Sequence, residues 1–124
     1  MSNPALSLMV LRTSQMEASL AFYRALGFSF VEEQHGSGSV HYSTQLGASV
    51  LEIFPGEPAA PLNRKAGGAT MLGFSVDSVD EVVSAIKDLG AQVVTAPSDS
   101  PWGRRAVIVD PDGRAIELSA SKQN

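Results

Sequence analysis

Two carboxylates stand where a sheet strand is expected to carry apolar side chains. Glu52 sits in "ASVLEIFPG" (48–56) and Glu117 in "GRAIELSAS" (113–121). Each interrupts a run of apolar and β-branched residues that otherwise reads as a strand. Burying an ionised carboxylate without a partner is costly, so each must face a cation, a proton or a ligand. Such groups can ligate a metal, act as general base and acid, or form the polar floor of a binding cavity.

Several other residues are placed to join them. Alternation in "LMVLRT" puts Leu8, Val10 and Arg12 on one face, with Arg12 at the mouth of any cavity there. A planar guanidinium suits carboxylate capture, and a solvated strand-end charge is the plain alternative. Val50 and Phe54 share the face of Glu52. If the hairpin turns around Leu46–Gly47, His41 stands opposite Glu52, where the pair could exchange a proton or hold a ligand. A register change of one residue would turn His41 outward. His35, in "EEQHGSGS", reads as an exposed turn residue. Trp102 is the only tryptophan and lies in the Pro/Gly-flanked "SPWGRR", with Arg104 and Arg105 beside it. It suits stacking on a ligand, or anchoring a loop on its own domain.

The elements that would position these residues occur twice. "LMVLRTSQMEASLAFYRALGF" and "MLGFSVDSVDEVVSAIKDLGA" align with Leu8 on Met71, Glu17 on Asp80 and Gly27 on Gly90; downstream, Glu52 falls on Glu117. Each half opens with a strand, Leu6–Arg12 or Thr70–Val76. A Ser-x-x-Glu capping box follows, Ser14/Glu17 or Ser78/Glu81. Apolar residues at helical spacing come next, Met16, Leu20, Tyr23 and Leu26 in one half and Val79, Val82, Val83, Ile86 and Leu89 in the other. Both helices stop at a glycine. Three strands complete each half, about 29–34, 40–45 and 49–54, then 92–96, 106–109 and 115–120, with "DPDG" as the turn before the last. The organisation is one domain of two βαβββ units, 5–56 and 69–121. The Pro/Gly-rich stretch 57–68 joins them, ending in Gly67–Gly68, which could serve as a hinge.

Composition narrows the function classes. The 124 residues include no cysteine, so neither disulfides nor thiolate chemistry enters. A net charge of −4 and the lack of a basic run with aromatics argue against nucleic acid as partner. No run approaches the ~20 apolar residues of a membrane span. "MSNPALSLMVLRT" lacks the features of a signal peptide, so a cytoplasmic protein is expected.

Tandem βαβββ with "FYRALGF", "LEIF", "GFSVDSVDE" and "DPDGRAIEL" resembles the vicinal-oxygen-chelate superfamily of glyoxalases, bleomycin-resistance proteins and extradiol-type dioxygenases. The likeness covers the chain apart from short tails and the linker. It implies an α+β fold whose two units form a concave mixed sheet. Metal-dependent members of that superfamily place ligands at positions that fall here on Leu8, Glu52, Met71 and Glu117. Only the two glutamates can ligate, so no cofactor and no tightly held metal are expected; a weakly bound divalent ion is the alternative. Dioxygenase chemistry, which rests on two histidines and a glutamate, is not expected. The resemblance then implies two functions. One is a metal-free, dimeric binder of a small, partly aromatic and often cationic molecule, as in drug-sequestering resistance proteins, using Arg12, His41, Val50, Phe54, Trp102 and Arg104. The other is a glyoxalase-like lyase or isomerase with Glu52 or Glu117 as proton-transfer base. Arg12 falls where glyoxalase I uses an arginine, but "IFPG" replaces the asparagine expected after the first glutamate.

Overall fold

The computed structural model describes residues 3–58 and 70–121. The first unit runs β1 (Leu8–Thr13), α1 (Met16–Ala25), β2 (Val31–Glu33), β3 (His41–Leu46) and β4 (Ser49–Pro55). The second runs β5 (Leu72–Ser75), α2 (Val79–Asp88), β6 (Val93–Ser100), β7 (Gly103–Val109) and β8 (Ala115–Ser121). Each unit builds a four-stranded mixed sheet, in the orders β1-β4-β3-β2 and β5-β8-β7-β6. The first and last strands of each unit pair in parallel; the remaining pairs are antiparallel. The fold is α+β, βαβββ twice, as the repeat indicates. The stretch 59–69, which holds most of the linker and both hinge glycines, lies outside the described residues.

Strand alternation divides each sheet into two faces. Leu11, Leu51 and Ile53 of the first sheet and Phe74, Ile116 and Leu118 of the second are buried on the helix side. There they join Leu20, Phe22 and Tyr23 of α1 and Val82, Val83 and Ile86 of α2 in one continuous core. Phe74 carries that core across the units, its ring 5.3 Å from Phe28 and 6.4 Å from Tyr23. The units therefore meet through their helix-side faces. The opposite faces, which carry Glu52 and Glu117, stay open.

A polar tie reinforces this junction. The Tyr23 hydroxyl donates to Asp110 Oδ2 at 2.6 Å, in the buried core. Asp110 also accepts from the amides of Asp112 and Arg114, which shapes the "DPDG" turn, and from the Arg114 guanidinium. Arg114 in turn donates to the Arg12 carbonyl. Burial first, then the Asp110 charge and hydrogen bond, hold the Tyr23 hydroxyl well above its ordinary pKa.

The two helices start differently. Ser78 caps α2 as expected, its hydroxyl accepting from the Glu81 amide at 3.2 Å. At α1 the expected Ser14/Glu17 box is absent: Gln15 is the N-cap residue and makes no side-chain cap. The Ser14 amide instead donates to Asp112, and the Gln15 amide to the Thr13 hydroxyl. Contact with the second unit has drawn this helix start one residue along the chain. Both helices end as their sequences suggest, with Gly27 and Gly90 at φ +117° and +82°, in the region that side chains disfavour.

Candidate functional site

The open face of the first sheet is built around His41. Register pairs Ser43 with Glu52 and Glu33 with His41. His41 is thus not opposite Glu52 but two residues along the same face, level with Phe54. The turn is centred on Gly47–Ala48 rather than Leu46–Gly47, and Gly47 takes φ +59°. Moving a hairpin turn by one residue moves each partner by two, so the face is preserved.

His41 is 1% exposed despite lying on the open side, because its neighbours cover it. Its ring stacks on Phe54 at 4.1 Å between centroids, 8° from parallel, and the exposed His35 ring lies 5.2 Å away. Nδ1 is 3.2 Å from the Ser39 carbonyl. A carbonyl only accepts, so Nδ1 carries a proton, and in the neutral ring Nε2 is the free nitrogen. Nε2 lies 3.3 Å from Glu33 Oε1 and 3.4 Å from Glu52 Oε2, in a geometry that forms no hydrogen bond with either. Arg12 projects over the other part of Phe54, its guanidinium carbon 5.1 Å from the ring centroid. Such cation–π contacts are worth about 0.5–1 kcal/mol at exposed sites. Val50 sits on this face beside Glu52, half-buried.

On the second sheet Glu117 has a different companion. Arg105 donates to its Oε1 through Nε at 2.9 Å, and Nη2 lies 2.8 Å from the same oxygen in an ion pair. Arg104 points to the other side of β7, where Asp80 of α2 grips it with two hydrogen bonds and Asp99 adds a third. The Arg104 bond leads in holding the Asp80 carboxyl below its ordinary pKa. The guanidinium that serves the open face is therefore that of Arg105, whereas Arg104 is occupied with acids of its own unit. The register of the hairpin around the "DPDG" turn explains the placement of Arg105. It sets Val109 opposite Ala115 and Val107 opposite Glu117, leaving Arg105 diagonal to the carboxylate.

Trp102 caps the β6–β7 hairpin, in which Ser100 pairs with Gly103. The strand bounds expected from the sequence, 92–96 and 106–109, leave Trp102 in a loop between them. Pro97 and two register shifts in β6 interrupt the ladder without ending it, so both strands extend to the tip. Trp102 is 86% exposed and anchors nothing of its own unit. Beside it a groove of about 360 Å3 is lined by Trp102, Arg104, Arg105, Glu117 and Ser119 among others. A second hollow, of about 520 Å3, lies against α1 and the end of α2. It is on the helix side and holds none of these residues.

The four positions of a family-type metal can now be tested. Leu8 and Met71 are about half exposed on the open faces and offer no donor suited to a borderline or hard divalent ion. Glu117 has one oxygen committed twice to Arg105. Glu52 is directed at His41. This donor set does not fit such an ion.

The sequence matches the model of the Glyoxalase/Bleomycin resistance protein/Dioxygenase superfamily over residues 5–118. It is 31% identical to the uncharacterized protein YwkD of Bacillus subtilis over 112 residues, covering 85% of this chain and 88% of that one. Among solved structures, TnmS3, an antibiotic binding protein from Streptomyces sp. CB03234, superposes with a TM-score of 0.68 at 25% identity, covering 98% and 99% of the two chains. The fosfomycin resistance protein FosX from Mesorhizobium loti superposes with a TM-score of 0.70 at 20% identity, over 95% and 92%, a likeness of fold alone.

Proposed function

Because the chain belongs to the glyoxalase/bleomycin resistance protein/dioxygenase superfamily, we propose that it binds a small, planar aromatic molecule on its open sheet faces. The observation that carries this reading is the set of unsatisfied apolar side chains around the two glutamates. Leu8, Val10 and Met71 are 50%, 40% and 47% exposed, and Trp102 stands almost free. Covering each of the half-exposed side chains is worth on the order of 1 kcal/mol. The similarity to an antibiotic binding protein points the same way.

The cover comes from two sources, a ligand and a second copy of the chain. Within one chain the units touch through their helix sides, so neither open face shields the other. A homodimer that sets the first sheet of one copy against the second sheet of its partner encloses Arg12, Val50, Phe54 and Trp102 around one ligand, with His41 buried behind Phe54. The salt bridge to Arg105 neutralises Glu117, which weakens the case for a cationic ligand and leaves ring stacking as the main attraction. No metal at the family position takes part. A lyase or isomerase would instead rest on Glu52 beside His41 Nε2 as its base.

Titration of the protein with planar aromatic compounds, followed by Trp102 emission, tests the binder. Saturable quenching that weakens in Phe54→Ala, together with a dimer mass in light scattering, is expected. A monomer whose emission responds to no aromatic compound overturns it.

A further inference from the structure

We propose that Glu33, His35 and His41 form a binding site for a zinc-type divalent metal ion at the β2–β3 edge of the first sheet. The site uses none of the four family positions, Glu52 lying against His41 at its edge, and it does not depend on the ligand proposed above. Glu33, His35 and His41 each offer a donor atom, all within 4.8 Å of one another. Two imidazoles with carboxylates are the ligand types that zinc takes in proteins.

His41 supplies the independent observation. It is almost wholly buried, and its Nε2 has no hydrogen-bond partner. Leaving such an atom unpaired forfeits the hydrogen bond that water would have given it. Its Nδ1 proton is directed at the Ser39 carbonyl, the outer contact that fixes the tautomer of a ligating histidine and leaves Nε2 to bind. That lone pair then faces two carboxylate oxygens, a repulsive arrangement unless a positive charge lies among them.

The distances favour a metal in that role. Charge-assisted hydrogen bonds from an imidazolium would close to ~2.7–2.9 Å. A tetrahedral ion with bonds of ~2.1 Å holds its ligand atoms ~3.4 Å apart. Nε2 stands 3.3 Å from Glu33 Oε1, near that spacing. The stacked Phe54 ring holds His41 in place, while exposed His35 gives the ion a way in from solvent. Bound there, the ion would clip the short β2 to β3.

Protein stripped with a chelator and titrated with zinc against a chromogenic competitor tests the site. One zinc per chain is expected. His35→Ala and Glu33→Gln, both changes at accessible side chains, should each weaken it at least tenfold, while Glu117→Gln should leave it unchanged. Cobalt in place of zinc should give the intense visible bands of a tetrahedral centre, lost in His35→Ala. The proposal is overturned if the wild type takes up no stoichiometric zinc. It is equally overturned if His35→Ala and Glu33→Gln bind like the wild type, or if Glu117→Gln abolishes binding and so moves the ion to the family position.

Discussion

Glu52 and Glu117 occupy equivalent places in the two units, and so do the basic residues beside them. Glu52 lies opposite Ser43 and Glu117 opposite Val107. Two residues before each of those partners, on the same face, come His41 and Arg105. The repeat has thus placed one basic side chain diagonal to each glutamate. In the second unit it is a guanidinium, charged at any ordinary pH and already bonded to its acid. In the first it is an imidazole with one nitrogen uncommitted between two acids. The same backbone has given one closed ion pair and one imidazole nitrogen left without a hydrogen-bond partner.

Alanine at each of the two basic positions breaks the comparison most sharply. His41→Ala removes a buried ring from between Phe54 and two carboxylates and should cost about 2–4 kcal/mol in urea unfolding. Arg105→Ala should cost below about 1 kcal/mol, because both it and Glu117 are more than a third exposed and solvent screens the pair. Equal losses would mean that the two positions are not as different as their burial.

The helices differ in the same sense. Tyr23 of α1 reaches Asp110 across the junction, and its counterpart on α2 is Ile86. Tyr23→Phe should cost about 1–2 kcal/mol at neutral pH. Its folded pKa is raised, so the hydroxyl contributes fully below the unfolded value of ~10 and loses that contribution as pH rises beyond it. Wild-type stability should therefore fall more steeply above about pH 10 than that of Tyr23→Phe. Parallel alkaline limbs would remove the tyrosine from the account. The smallest contrast is at the helix starts. Ser78→Ala should lower stability by about 1 kcal/mol, while Ser14→Ala should change it by only a few tenths. Thermal melts of the two variants separate these outcomes.

Much of this was legible in the sequence because it rests on local periodicity. The helix spacing, the glycine stops and the paired "LEIF" and "IELS" strands each declare themselves within a dozen residues. Glu52 and Glu117 were legible for the same reason, since a charge in an apolar strand is visible without any tertiary knowledge. Their partners were not. Arg105 was hidden by a hairpin whose proline and register shifts made it resemble a loop. Glu33 comes to His41 only through the β2–β3 pairing, across a glycine-rich turn of no fixed length. At Ser14 no cap forms, and its amide donates instead to Asp112, 98 residues away. Local pattern places a side chain on a face; it does not say which distant group will meet it there.

The polar tie at the junction has a consequence for how the chain acquires its shape. Tyr23 bonds to Asp110 across 87 residues, Gln15 to Pro111 across 96, and the Arg12 carbonyl to Arg114 across 102. During synthesis from the N-terminus, α1 is complete while every one of these partners is still unmade. Until residue 114 has left the ribosome, the helix has its packing against β4, Phe74 and α2 but none of these three bonds. Contacts of such sequence separation slow folding, because the closure entropy is incurred before the contact forms. The last hairpin of the chain is therefore also the latch of its first helix.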